Sequence, residues 1–122
     1  MSKSVLVVED EKPIAKIISM ILKRENFLVS IAFSGNDALE KLALGFKPDI
    51  ISTDILMPGI SGLELLKYVK SSEKFYETPV VVVSAISHKN IVASSAKLGA
   101  NAYIRKPFLP KDYINIIKKN LI

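Results

Sequence analysis

The 122-residue chain has no cysteine, no tryptophan and a single histidine. Without thiols it can form neither a disulfide nor a thiolate metal site, and one imidazole cannot build an all-nitrogen site. Any metal must be held by oxygen, which suits magnesium, manganese or calcium. No apolar stretch approaches the roughly 20 residues that span a bilayer, and no basic segment leads into a short apolar one as in a secretory signal. A cytoplasmic protein with no membrane insertion is therefore expected. Aromatic residues make up 7% of the chain and are not interleaved with the basic ones, so no nucleic-acid partner is expected. The lone histidine, His88, reads as a solvated loop residue and not as a site residue.

Hydrophobic residues make up 49% of the sequence, enough for one core, and the length leaves no room for a second domain. One domain over residues 1–122 is the expectation. The net charge is +5, and it is unevenly spread. From His88 onward Lys89, Lys97, Arg105, Lys106, Lys111, Lys118 and Lys119 are opposed by Asp112 alone, so the basic character belongs to the last third of the chain.

Apolar runs bounded by turn residues cover Val5 to Val8, Asp49 to Ser52 and Val80 to Val83, with a weaker one from Ala102. Continuous β-branched runs predict strands buried on both faces, as in a parallel sheet covered by helices. In residues 28–33, Val29, Ile31 and Phe33 alternate instead, which predicts a less covered edge strand. Ile14, Ile17, Ile18, Ile21 and Leu22 follow the period of one buried helical stripe after Pro13. Ser34 and Asp37 make a cap before a second helix that Gly45 ends, a third begins near Gly62, a fourth covers about Lys89 to Leu98, and Pro110 opens a fifth. Strict alternation implies right-handed crossovers and an open α/β sandwich of five strands and five helices.

Such sheets carry their chemistry at the carboxyl ends of the strands. There the sequence has Glu9 and Asp10, Asp54, Ser84, and Arg105 with Lys106. Three carboxylates in one crevice repel one another unless a cation joins them, which points to a divalent metal held by Asp10, Asp54, a backbone carbonyl and water.

The segments "VLVVEDE", "DIISTDILMPGISG", "PVVVVSA" and "GANAYIRKPF" resemble, in order and spacing, the receiver domains of bacterial two-component response regulators, over essentially the whole chain. The resemblance implies a flavodoxin-like three-layer sandwich with a five-stranded parallel sheet in the order 2-1-3-4-5. It implies a phosphorylation-activated switch in which Asp54 accepts a phosphoryl group from a sensor histidine kinase or phosphotransfer protein. Asp10 and the main-chain oxygen of Leu56 would then join Asp54 as magnesium or manganese ligands, with Glu9 acting mainly through water. Lys106 and Ser84 would neutralise the phosphoryl oxygens, Tyr103 would turn inward as Ser84 moves, and Lys106–Pro107 would be cis. The helix 4, strand 5, helix 5 face, carrying Lys89, Lys97, Arg105, Lys111, Lys118 and Lys119, would dock an acidic protein surface or serve onward phosphotransfer. Such a chain catalyses its own phosphorylation and dephosphorylation and is not a conventional turnover enzyme.

Leu56 and Ile86 flank the path of the hydrolytic water in that family, and neither can orient it. Slow self-dephosphorylation is expected. A haloacid-dehalogenase-like phosphatase would need an acid at position 56 and is rejected. A scaffold that is never phosphorylated is the alternative. With no DNA-binding segment after Ile122, a stand-alone receiver is the expectation.

Overall fold

The computed structural model describes residues 2–121; the two ends of the expected 1–122 span, Met1 and Ile122, lie outside the described residues. The elements alternate strictly: β1 (Ser4–Val8), α1 (Lys12–Arg24), β2 (Leu28–Ala32), α2 (Gly35–Ala43), β3 (Ile50–Thr53), α3 (Gly62–Ser71), β4 (Val80–Ser84), α4 (Lys89–Lys97), β5 (Ala102–Arg105) and α5 (Pro110–Asn120). All pairings are parallel and the order is β2-β1-β3-β4-β5, as the sequence implied.

Continuous apolar strands arise because each face of the sheet has its own core. Val5 and Val7 of β1, with Ile50, Val81 and Val83, pack against Ile18 and Leu22 of α1 and Tyr113 and Ile117 of α5. Leu6 and Val8, with Ile51 and Val80, face the other way onto Leu42 of α2 and Leu65, Leu66 and Val69 of α3. The Tyr113 hydroxyl, fully buried beneath α5, donates to Ser52 Oγ at 2.9 Å, and burial pushes its pKa well above the usual phenol range.

Ile17, expected inside, is outside, and Phe33, expected in the second strand, lies beyond it. Ile17 is 56% exposed, because five apolar positions span a wider arc than α1 buries and Ser19 is taken inward instead. β2 ends at Ala32, so Phe33 lies beyond the ladder, exposed, with the Lys12 ammonium 5.6 Å from its ring centre. β3 starts one residue later than the apolar run suggested, since the Asp49 carboxylate accepts from the Ser4 N–H at 2.7 Å and its hydroxyl at 3.2 Å.

The Ser34 cap forms as predicted: its Oγ accepts from the Asp37 N–H at 3.0 Å, and Gly45 leaves the helix at φ +105°. Ser34→Ala should lower the unfolding free energy by about 1 kcal/mol. Urea unfolding should show a reduced midpoint with an unchanged slope; an unchanged midpoint would contradict the cap.

Candidate functional site

The sheet's hydrogen bonding runs one residue past the strand ends and sets the reactive side chains. Glu9 N–H donates to Ala32 O at 3.0 Å, Asp54 N–H to Val8 O at 3.0 Å, and Lys106 N–H to Ser84 O at 2.9 Å. The ends of β1, β3 and β5, the last two separated by β4, thus deliver Glu9, Asp54 and Lys106 to one crevice at the carboxyl edge of the sheet. The Lys106–Pro107 bond is cis. Lys106 Nζ lies 2.6 Å from Glu9 Oε1 and 2.9 Å from Asp54 Oδ2. Asp54 Oδ1 accepts from the Ile55 N–H at 2.6 Å.

One oxygen from each of Glu9, Asp10 and Asp54 falls within 4.8 Å of the others. These are hard, anionic donors, the set that divalent magnesium or manganese takes, and no sulfur or imidazole is among them. Leu56 lines the same cavity as Asp10 and Asp54. Its side chain is 67% exposed, leaving the cavity mouth apolar.

Glu9 is the most enclosed acid, 2% exposed. Burial raises its pKa; the Lys106 hydrogen bond and charge pull the other way without cancelling it. Burial alone would lower the Lys106 pKa, but its hydrogen bonds to Glu9 and Asp54 together outweigh that and raise it. Lys106 is thus a fixed positive charge between two acids. The Glu9 carboxylate thus contacts the lysine directly.

Ser84 is buried at the end of β4, and its Oγ accepts from the Ile86 N–H at 3.1 Å. The Tyr103 hydroxyl donates to Ile86 O at 2.6 Å. Both residues of the expected switch therefore grip the same loop residue, and Tyr103 is already turned onto the loop and half-buried.

Two contributors to the seat of Asp54, Thr53 and Gly62, were given no role at the site from sequence. Thr53 Oγ1 donates to Asp54 O at 2.9 Å. Gly62 N–H donates to Ile55 O at 2.9 Å, and a Cβ on Gly62 would stand 1.8 Å from Asp54 O; only glycine lets α3 begin so close to the acid. His88 caps α4, its Nδ1 accepting from the Asn90 N–H at 3.2 Å. The first could not be read from sequence, because threonine at a strand end is common. Glycine opening a helix right after an N-cap serine, where alanine would favour the helix, was a readable signal of close approach.

The basic residues do not share one face. Lys111 and Lys118 line a groove between α1 and α5 with Ile21 and Arg24, and Lys118 pairs with Glu25, the C-cap of α1, at 2.7 Å. Lys89, Lys97 and Arg105 are exposed on α4 and β5. Of the six basic residues expected on one face, Lys111 and Lys118 thus stand beside α1, and Lys119 is exposed on α5.

Among the described residues no helix is long and apolar enough to cross a membrane. The family model for the response regulator receiver domain matches residues 5–118. A putative response regulator from Chloroflexus aurantiacus is 28% identical, with 98% of each chain covered and a TM-score of 0.92. The chemotaxis response regulator CheY4 of Vibrio cholerae is 26% identical over 99% of this chain and 100% of its own, at a TM-score of 0.91. The BeF3-activated DrrB receiver domain is 27% identical over 98% of this chain and 97% of its own, at 0.89. With this sheet order, this crevice and a family match over nearly its whole length, the chain belongs to the response regulator receiver domains of two-component signalling.

Proposed function

We propose that this chain is a magnesium-dependent phosphoacceptor whose reactive atom is a carboxylate oxygen of Asp54. The observation that carries the reading is the convergence of Glu9, Asp10, Asp54 and Lys106 in one crevice. Asp54 attacks the phosphorus of a donor phosphohistidine; the Asp54 O–P bond forms, the P–N bond breaks, and the imidazole nitrogen keeps the bonding pair and takes a proton from solvent. Because the charge in such a transfer is spread over the phosphoryl oxygens, the site's work is positioning and neutralisation. Asp54 is aimed by its backbone bond to β1 and by the Ile55 N–H. Lys106 supplies positive charge beside Asp54, and the Ser84 hydroxyl, released from Ile86, donates to a phosphoryl oxygen. Asp10, Asp54 and Leu56 O would hold magnesium, or manganese of the same ligand class, directly, and Glu9 would act on it mainly through water. Bound there, the metal supplies the positive charge that lets three acids admit an anionic donor.

The donor is a sensor histidine kinase or phosphotransfer protein, and the whole domain, 1–122, is the switch. When Ser84 leaves Ile86, Tyr103 and the loop before α4 reset together, which alters the surface of α4, β5 and α5 for a partner or for onward phosphotransfer. The exposed Lys89, Lys97 and Arg105 favour an acidic protein partner there. Reversing Lys97 and Arg105 should weaken that binding and its salt sensitivity, while reversing Lys111, on the α1 side, should not; equal losses would contradict the division.

Leu56 and Ile86 border the reaction cavity, and neither side chain can hydrogen-bond a hydrolytic water. Self-dephosphorylation should accordingly be slow. Leu56→Asn should shorten the phosphoryl lifetime about tenfold or more in decay assays, as expected when a water gains a positioned partner, and Leu56→Ala should not shorten it. The magnesium requirement is tested by incubating the chain with acetyl phosphate with and without a chelator: loss of the phosphoryl adduct in chelator is expected, and undiminished labelling would overturn the metal's role. The scaffold alternative predicts no adduct in either sample.

A further inference from the structure

The two ends of α4 are held very differently. Within the helix only Ser95 is buried, its hydroxyl donating to Val92 O at 2.8 Å. The first turn has no acid to meet the helix dipole, carries Lys89 instead, and is capped by the exposed His88 ring. The loop ahead of it is tied through Ile86 to Ser84 and Tyr103, the switch pair.

The C-terminal end is pinned. Leu98 and Ala100 pack against the α2–α3 side of the core. Gly99 turns the chain at φ +103°, and the Gly99 and Ala100 N–H groups close onto Ala96 O and Ser95 O, each at 3.0 Å. Asn101 then grips the start of β4 with both halves: its N–H donates to Val80 O at 2.8 Å, and its Oδ1 accepts from the Val80 N–H at 2.9 Å. The same Oδ1 accepts from Lys70 Nζ at 3.2 Å, and Lys70 also donates to Thr78 O at 2.8 Å and Tyr76 O at 3.4 Å. One ammonium thus joins α3, the α3–β4 connection and the α4–β5 connection. All three acceptors are uncharged. A Cβ on Gly99 would meet the Lys70 Cγ at 3.0 Å, so the lysine stem also underlies the turn.

We propose that Lys70 and Asn101 form a fixed pivot for α4, so that a change started at Asp54 swings the N-terminal half of the helix about a C-terminal end that stays in place. This rests on the reading of Asp54 as phosphoacceptor and of Ser84 and Tyr103 as its switch. Lys70 is a positioning residue at the amino ends of the strands, opposite the crevice. A lever with one fixed end delivers a local loop change as a directed displacement of Lys89 and its neighbours, whereas a helix loose at both ends would only fray.

Hydrogen exchange read by mass spectrometry on the full chain, with acetyl phosphate and magnesium, tests the pivot, and intact mass is taken on the same samples. In the wild type, protection should change over residues 85–93 and stay unchanged over 98–101. Lys70→Met, which keeps the stem and loses the donors, should let the change spread into 98–101; Lys70→Arg, which keeps donors and charge, should retain the wild-type pattern. A phosphoryl adduct accompanied by equal changes in both segments of the wild type would overturn the pivot alone. A phosphorylated Lys70→Met that still confines the change to 85–93 would do the same, and should that variant fail to fold, the wild type and Lys70→Arg decide. Absence of any adduct would remove the phosphoacceptor reading and the pivot with it.

Discussion

Lys106→Met should slow Asp54 phosphorylation by about a hundredfold, the scale of losing one preorganised donor to a developing oxyanion. The variant removes the positive charge 2.9 Å from Asp54 Oδ2 and 2.6 Å from Glu9 Oε1 and leaves a methionine stem of similar volume. It also leaves two enclosed carboxylates and Asp10 without a countercharge. Breaking such a pair costs about 3–5 kcal/mol when fully buried, and the low end applies here because the crevice opens to solvent. Magnesium should recover more stability in the variant than in the wild type, since a site stripped of its lysine binds a cation more tightly and binding to the folded state adds stability. Thermal unfolding with and without magnesium reads this directly. An unchanged labelling rate, or a magnesium response no larger than that of the wild type, would contradict the role given to Lys106.

Gly62→Ala acts on the same acid from behind. Its methyl carbon would fall 1.8 Å from Asp54 O, 2.8 Å from the Asp54 carbonyl carbon and 2.9 Å from Ile55 Cα, all of them backbone. No rotamer change relieves such a contact, so β3's end or α3's start must shift by an ångström or more. A misplacement of that size costs on the order of a hundredfold in rate when the reaction depends on positioning. Gly35→Ala is the control: its Cβ would press on Ile60 O at 2.7 Å, in the loop before Gly62, without touching Asp54. Labelling should collapse in Gly62→Ala and fall far less in Gly35→Ala, at comparable circular dichroism. Equal losses would mean that the loop as a whole, and not the seat of Asp54, sets the rate.

The sheet was legible because its strands are short, apolar on both faces and separated by helical periods, so that element order and a parallel sandwich followed from pattern, while the strand order followed from the resemblance to receiver domains. The crevice was legible because Glu9, Asp10, Asp54 and Lys106 stand where apolar runs stop. What escaped was contact across the fold. Ile17 has the period of a buried residue, but burial depends on how wide a stripe the sheet covers, and it lies at the mouth of a groove beside Ala85, Pro107 and Phe108. Lys111 and Lys118 share an element with the expected docking face, yet helical rotation turns them toward α1. His88 is the exposed loop residue that the sequence implied, and its ring also caps α4. Gly62 carries its meaning through what its missing side chain would strike, and Lys70 through three acceptors that lie 6, 8 and 31 residues away.

The central claim is that Asp54 is the phosphorylated atom's owner. Intact mass of the chain after incubation with acetyl phosphate and magnesium, beside Asp54→Ala treated identically, tests it most directly. The wild type should gain a single phosphoryl group and the variant none. An unmodified wild type, or an adduct that survives in Asp54→Ala, would contradict the account.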